Sequence, residues 1–298
     1  MLALVGQPGL AWRTGPALPV ARLVIGRPAE EAAAVLPRIY NLCRGAQETA
    51  ARLAFGLRLE DGTDDRLHAE ILRDHVLMLC VRLPRHFGSS ALVLPQGWQS
   101  DPSLLRAPLF GTVERLPRHL SELDRAMAAG AGVMLLLRRV RDSFAPFEAA
   151  TGVLPVPEGS EVLDLTAQEN SVAGRWALHP LMREVERDFG RGPFWRLMGR
   201  VVELDALLAG VRLPFRVTPD GEAFVPAARG CYGVSARTEA GRVTAFERVT
   251  PTDHLLAEGG VLDRSLAALP GRKRGLAPLL LDILDPCVPV RLEETTDA

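Results

Sequence analysis

The chain has 298 residues, of which 47% are hydrophobic, and its formal net charge is −1. This length and apolar content are enough to bury a full core, and no linker-like stretch divides the chain, so we expect one domain over residues 1–298. The near-zero charge excludes a global field that would attract nucleic acid or an anionic membrane surface.

Membrane insertion and secretion are also disfavoured. The longest apolar run, residues 126–137, contains two glycines and ends at two arginines, short of the roughly 18 residues that cross a bilayer. Residues 1–12 have no basic region followed by an adequate apolar stretch, so we expect no secretory signal. The four cysteines are irregularly spaced and do not indicate a disulfide framework. We therefore expect a cytoplasmic protein.

The first predicted elements are one short strand at residues 21–25 and a helix that begins at Pro28. Pro37 is expected to open the next helical turn, since proline is favoured at that position. One face of this turn would carry Ile39, Cys43, Ala46 and Ala50. This apolar spacing predicts that Cys43 points into the interior.

The middle of the chain is predicted to be a helical bundle. The predicted helices run from residue 64 to Pro84, from 118 to 140 with weak points at Gly130 and Gly132, from 180 to 189, and from 194 to 208. After residue 213, alternating segments at 233–237 and 242–248 predict an antiparallel hairpin. A short apolar helix at 276–284 would then deliver the turn Asp285-Pro286-Cys287. We therefore predict a mainly α fold of the α+β type with a small antiparallel β element.

Two cysteine motifs at opposite ends of the chain resemble one enzyme family. Residues 38–47 read Arg-Ile-Tyr-Asn-Leu-Cys-Arg-Gly-Ala-Gln, and residues 285–293 read Asp-Pro-Cys-Val-Pro-Val-Arg-Leu-Glu. They resemble the motifs Arg-x-Cys-x-x-Cys-x-x-x-His and Asp-Pro-Cys-x-x-Cys-x-x-His of the NiFe-hydrogenase large subunit, which together hold nickel and iron. Two of the family's cysteines and both histidines are replaced here, by Tyr40, Val290, Gln47 and Glu293.

Residues 227–233 supply a third match, because Ala-Ala-Arg-Gly-Cys-Tyr-Gly resembles the family's Ala-Pro-Arg-Gly-x-Leu-x-His, although Val234 stands in place of the histidine. Residues 75–84 resemble the His-x-x-His-x-Tyr-x-Leu helix more weakly. The matches follow family order from about residue 26 onward. The chain is identified as a member of a group of reduced, much shorter relatives of the large subunit, the hydrogenase-assembly proteins of the HupK/HoxV type. The resemblance implies a large-subunit-like helical bundle whose N- and C-terminal motifs converge.

The resemblance also implies a function without catalysis. With half the thiolates missing, a nickel site and hydrogen chemistry should both be lost, whereas Cys43 and Cys287 would transiently hold the Fe(CN)2CO fragment, since thiolate suits a soft iron centre. Arg229 would donate to bound cyanide, Asp285 would orient Arg229 or the neighbouring turn, and Cys231 is a candidate third thiol. In the family, the position of Cys43 bridges to iron, whereas that of Cys287 binds nickel terminally.

The implied partners are a HypC-family chaperone, a HypD-type iron–sulfur protein and the hydrogenase large-subunit precursor, with no nucleic acid or membrane. A second hypothesis is a metal-free interaction protein that mimics the large subunit and occupies maturation factors or protects the precursor. An enzyme in its own right is disfavoured because the sequence places no base beside a cysteine.

Each candidate residue also has a structural interpretation. Any of the cysteines could be a small core residue, and Arg229 could form an ordinary salt bridge. Asp285 could merely cap the turn after the last helix, and His75 could be a satisfied interior histidine. The separation of the Cys43 and Cys287 sulfurs distinguishes a shared site from separate core positions.

Overall fold

The structure is a computed structural model that describes residues 10–39, 42–111 and 115–293. Tyr40, which replaces the first cysteine of the family motif, lies outside the described residues, as do residues 1–9, where no secretory signal was expected. None of the helices in the described ranges is both long and apolar enough to cross a bilayer.

Most of the described chain is helical. The α-helices are α1 (Val20–Val24), α2 (Ala29–Ile39), α3 (Arg44–Ala54), α4 (Thr63–Leu77), α5 (Arg106–Phe110), α6 (Leu120–Ala129), α7 (Gly132–Ser143), α8 (Val172–Arg175), α9 (Pro180–Phe189), α10 (Pro193–Leu208), α11 (Pro251–Leu255), α12 (Val261–Ala267) and α13 (Ala277–Leu284). A π-helical turn at Met78–Arg82 extends α4 and is followed by a 3-10 helix at Leu83–Phe87; further 3-10 helices span Pro102–Leu105, Gly159–Leu163 and Gly271–Leu276.

The strands form two antiparallel sheets. They are β1 (Ala11–Thr14), β2 (Arg216–Val217), β3 (Glu222–Ala227), β4 (Gly230–Glu239), β5 (Arg242–Val249) and β6 (Val290–Glu293). One sheet has the order β2-β3-β4-β5, and its β4–β5 pair is the predicted hairpin, which turns at Ala240 and Gly241. The other sheet pairs β1 with β6, from Ala11 opposite Glu293 to Thr14 opposite Val290. This second sheet joins the two ends of the described chain.

Helix α10 lies at the centre of the molecule. It packs against α4, α7, α8, α9 and α13, and nearly all its side chains are buried, including the fully buried Trp195. A helix buried on all sides must pair its charged residues internally, because an unpaired buried charge is costly. Arg196, Arg200 and Glu203 of α10 are therefore held in buried ion pairs.

The predicted mainly helical fold with an antiparallel element is confirmed, but three predicted elements were wrong. Residues 21–24 form most of α1 rather than a strand, and Ile25 follows its end. Val20 and Val24, four residues apart, are the buried positions of α1, and a short apolar run cannot distinguish the two structures. The helix predicted at 118–140 is two helices, because Gly130 adopts a left-handed conformation (φ 64°) that ends α6.

The third correction concerns the approach to Cys43. Pro37 lies inside α2 rather than at the start of another helix, and α2 ends at Ile39. Cys43 is therefore not on a helical face but immediately precedes α3, in a left-handed conformation with φ 51° and ψ 40°. The prediction that Cys43 faces the interior is nevertheless confirmed, since the residue is 7% exposed.

Candidate functional site

The two terminal motifs converge, and they bring Cys43 and Cys287 into contact. Cys43 precedes α3 and Cys287 follows α13, yet their side chains share a hydrogen bond. Both cysteines are free rather than joined as a disulfide. The fold therefore creates a pair of adjacent thiols from residues at opposite ends of the sequence.

The shared hydrogen bond makes the two thiols chemically unequal. The bond to Cys287, together with burial, raises the pKa of Cys43 well above the ordinary thiol value. The same bond stabilises the Cys287 thiolate and, with the charge of Arg229 and a hydrogen bond from Thr252, lowers the pKa of Cys287 to about 7. Near neutral pH, Cys287 is therefore ionised in about half of the molecules while Cys43 stays protonated, and the thiolate is the form that binds metals.

Arg229 lies over the pair, on the turn between β3 and β4. Its Nη1 donates to Cys43 Sγ over 3.4 Å, and its Nε donates to the carbonyl oxygen of Asp285 over 3.1 Å. Burial opposes the charge of Arg229, but Asp285 and the two cysteines outweigh it and raise the pKa of the guanidinium. Gly230 permits this turn, because a Cβ there would lie 2.5 Å from the carbonyl oxygen of Asn170.

Asp285 is the anionic centre of the site. It is 3% exposed and accepts hydrogen bonds from Arg82 over 2.7 Å, from Arg200 over 2.9 Å and from Arg229 over 3.3 Å. The resemblance implied that Asp285 orients Arg229 or the neighbouring turn, but it did not imply the contacts with Arg82, which stands at the leucine position of the weak match at 75–84, or with Arg200, which lies in none of the matched segments. The carboxylate thus ties the turn before Cys287 to three separate elements.

Two residues of the site have unusual backbone conformations. Cys43 has φ 51° and Asp285 has φ 52°, in the left-handed region that favours glycine. Such conformations cost free energy and persist only where surrounding contacts enforce them. The hydrogen bonds that Asp285 receives provide that enforcement on one side of the thiol pair.

A buried polar network supports Arg200 from behind. Arg200 Nη1 lies 3.2 Å from His75 Nδ1, and His75 Nε2 lies 2.9 Å from Glu203 Oε1. Burial lowers the pKa of His75, as expected for a satisfied interior histidine. Glu203 also accepts from Arg175 and from Trp176 Nε1. Although burial opposes it, this set of donors lowers the pKa of Glu203 to about 2.

The other two cysteines do not join the pair. Cys231 lies on β4, where its N–H donates to Asn170 Oδ1 over 2.7 Å, and its side chain lines a different cavity together with Arg216. Cys80 is 1% exposed in the π-helical turn, and burial raises the pKa of its thiol to about 12. It is a packed core residue.

The three described positions where the family has other metal ligands, Gln47, Val290 and Glu293, serve structural purposes. Gln47 is buried and donates to the carbonyl oxygen of Leu42 over 2.8 Å. Val290 and Glu293 belong to β6, and Glu293 pairs with Arg13 over 2.8 Å. Among the residues that the structure describes, no group of three or more His, Cys, Asp or Glu side chains is arranged to hold a metal ion. The protein offers two sulfurs and a guanidinium.

Sequence comparison identifies a related protein, although not through a family profile. No protein-family profile matches the sequence. The chain is 48% identical over 282 residues to the hydrogenase expression/formation protein HupK of Rhodobacter capsulatus, which covers 94% of this chain and 92% of that protein.

Solved structures show the same fold. The NiFeSe hydrogenase of Desulfovibrio vulgaris Hildenborough aligns with a TM-score of 0.58 and 12% identity, covering 96% of this chain and 97% of that chain. The reduced, active NiFeSe hydrogenase of Desulfomicrobium baculatum aligns with a TM-score of 0.50 and 11% identity, with the same coverage. At such low identity these alignments establish shape alone, and they confirm the predicted large-subunit-like fold.

Proposed function

Because the chain belongs to the HupK family of hydrogenase expression/formation proteins, we propose that it acts in hydrogenase formation as a non-catalytic scaffold. Its cargo is the Fe(CN)2CO fragment, held by Cys43 and Cys287 before transfer to the hydrogenase large subunit. The contact between these two thiols beneath Arg229 carries the proposal. It rests on geometry that neither cysteine motif would produce alone.

The charge state of the pair suits a carrier. Cys287, with a pKa of about 7, supplies a thiolate for iron at neutral pH, whereas Cys43 becomes a ligand when its proton leaves. In the enzymes the four thiolates hold nickel and iron together, whereas here two sulfurs would hold the iron fragment without nickel, so the fragment can be released. Because only two of the four family thiolates remain, we propose neither nickel binding nor hydrogen chemistry for this protein.

Arg229 provides a donor for the small ligands of iron. Beside it lies a cavity of about 40 Å³ that is lined by Arg200, Arg229, Thr252 and Asp285, among others, but by neither Cys43 nor Cys287. The bond from Arg229 Nη1 to Asp74 is long for an oxygen acceptor, at 3.3 Å, and the sulfur of Cys43 is a weak acceptor, so this donor is available to a stronger acceptor. A cyanide nitrogen is such an acceptor, and its bond to a guanidinium would be charge-assisted.

The proposal includes three partners. A HypC-family chaperone and a HypD-type protein would supply the iron fragment, and the large-subunit precursor would receive it. The large-subunit-like fold supports the choice of these partners, because factors that recognise the precursor would meet a similar shape here.

Infrared spectroscopy tests the proposal. Protein purified from a hydrogenase-producing host should show cyanide and carbonyl stretches, and both Cys43→Ser and Cys287→Ser should abolish them. Cys80→Ser and Cys231→Ser are matched controls that should retain the bands, since neither thiol joins the pair. The carrier function is wrong if wild-type protein shows no bands or if both Cys43 and Cys287 variants keep them.

A second candidate function is a metal-free mimic of the large subunit, favoured by a likeness in fold that spans 96% of the chain. Such a protein would occupy maturation factors or protect the precursor through its surface. Complementation of a deletion strain separates the two functions, because the mimic should still support hydrogenase formation with both thiols replaced.

A further inference from the structure

A cavity of about 720 Å³ lies away from the thiol pair and has no part in the proposed iron site. It is open to solvent between α8, the segment 211–216 and the outer part of the four-stranded sheet, and we call it the 211–216 groove. Its volume lies in the range of about 300–1,000 Å³ typical of ligand pockets. The groove can therefore accept several side chains of a partner.

The walls of the groove expose large apolar side chains. Leu178 is 78% exposed, Val211 is 42% exposed and Val156 is 37% exposed, and all three line the groove. Single exposed apolar residues are ordinary, but several around one concave surface mark a binding site. The expected occupant therefore brings apolar side chains of its own.

The charge of the groove is positive, although the whole chain carries a formal charge of −1. Its lining residues include Arg175, Arg191, Arg212 and Arg216, against a single carboxylate, Glu158. Arg175 and Arg191 are engaged with Glu203 and Glu186.

Arg216 differs from the other arginines, because it makes no ion pair with any residue in the described part of the chain. Arg212 pairs with Asp65, whose side chain is 75% exposed, so this pair is readily exchanged for another carboxylate. These two guanidiniums favour an acidic occupant.

The sheet edge at the groove is not suited to strand addition. The edge strand β2 has two residues, and Pro214 and Pro226, which both line the groove, have no N–H to donate. An occupant would therefore be recognised mainly through its side chains rather than by extending the sheet.

We propose that the 211–216 groove docks an acidic, apolar segment of a maturation partner, with an apolar side chain against Leu178 and Val211 and a carboxylate on Arg216. The identity of the partner rests on the proposed function. The occupant's chemistry follows from the apolar walls and the positive charge of the groove.

The groove is connected to the thiol site through Arg175. This residue lines the groove, and its Nη2 donates to the carbonyl oxygens of Ala227 and Gly230. Those two residues flank the turn that carries Arg229. A segment docked at the groove is therefore one side chain away from the turn that positions the guanidinium over the cysteines.

The test measures binding of the full-length protein to two purified probes, the HypC-family chaperone and the large-subunit precursor of the same organism. Leu178→Asp and Arg216→Glu should each weaken binding of at least one probe by about tenfold or more, and higher salt should weaken wild-type binding. Val93→Asp and Arg237→Glu are matched controls at exposed positions outside the groove lining, and their dissociation constants should stay within about twofold of wild type.

The docking proposal is overturned if neither probe binds wild-type protein, or if both groove variants bind both probes as tightly as wild type. A groove that serves a small molecule instead would give the second result. Failure of the carrier function is distinguishable, because it would remove the infrared bands from wild-type protein and leave the binding differences between groove and control variants unchanged.

Discussion

The guanidinium of Arg229 contacts both the backbone and the side chain of Asp285. Its Nε donates to the Asp285 carbonyl oxygen over 3.1 Å, and its Nη2 donates to Oδ1 over 3.3 Å. These contacts aim the remaining nitrogen, Nη1, at Cys43. Because Asp285 is also held by Arg82 and Arg200, the guanidinium is positioned by a network rather than by one flexible ion pair.

Removing the hydrogen-bond donor from the thiol pair should raise the pKa of Cys287. In Cys43→Ala we expect this pKa to move from about 7 toward the ordinary value of 9.0, since the bond from Cys43 is its main cause. Alkylation of Cys287 near pH 7, followed by mass spectrometry of the peptide, should slow by about tenfold. Cys43→Ser retains a hydroxyl donor and should slow it less. Equal rates in the two variants would show that the hydrogen bond has no such effect.

Two substitutions of Arg229 test separately the effect of its charge and the effect of its guanidinium hydrogen bonds. We expect Arg229→Lys to keep a positive charge near the thiols but lose the contacts with Asp285, because lysine lacks the planar guanidinium. In the infrared experiment this variant should shift the cyanide stretches and reduce their intensity, whereas Arg229→Met should abolish them. Arg237→Lys, at an exposed position on β4, is the control. Unchanged cyanide bands in Arg229→Met would remove Arg229 from the site.

The paired motifs predicted which residues meet, because Cys43, Cys287, Arg229 and Asp285 belong to recognisable local patterns. Their supports were less predictable. Arg82 lies in the weakly matched segment 75–84, which implied no contact with Asp285, and Arg200 lies in none of the matched segments. Only the packing of α10 against α4 and α13 brings Arg200 to Asp285. Helix–strand ambiguity in short apolar runs caused the error at residues 21–25. The β1–β6 pair joins segments 276 or more residues apart, and nothing local predicts such a contact.

The buried carboxylate of Glu203 should make stability depend on pH in acid. Its pKa is lowered from 4.5 to about 2 by Arg175, His75 and Trp176, although burial opposes the shift. A depressed carboxyl pKa contributes stability that is fully present above about pH 4.5 and is lost as the pH falls toward 2. The size of the shift corresponds to about 3 kcal/mol of the free energy of unfolding.

Urea unfolding between pH 6 and pH 3 measures this contribution, in wild type and in Glu203→Gln. The variant should be less stable at pH 6 by about 3 kcal/mol or more, because Arg175 loses its buried partner, and it should lose less stability on acidification. Asp65→Asn removes the partner of Arg212 at an exposed pair and should cost at most about 1 kcal/mol. Parallel pH profiles for wild type and Glu203→Gln would contradict the assignment.

A methyl group at Gly230 should disturb the site by displacing the turn that carries Arg229. The Cβ of Gly230→Ala would lie 2.5 Å from the carbonyl oxygen of Asn170 and 2.6 Å from its Oδ1, and φ is +150°. Because one of these atoms is backbone, the turn itself must shift, and we expect a loss of about 2–4 kcal/mol in the free energy of unfolding.

Gly241→Ala is the control, since Gly241 also has a positive φ (+74°) but a Cβ built there would have nothing within 4 Å. It should cost about 1 kcal/mol. The unfolding temperature and the rate of Cys287 alkylation should both change more in Gly230→Ala than in Gly241→Ala. Equal effects in the two variants would mean that backbone strain alone, and not contact with Asn170, requires the glycine beside Arg229.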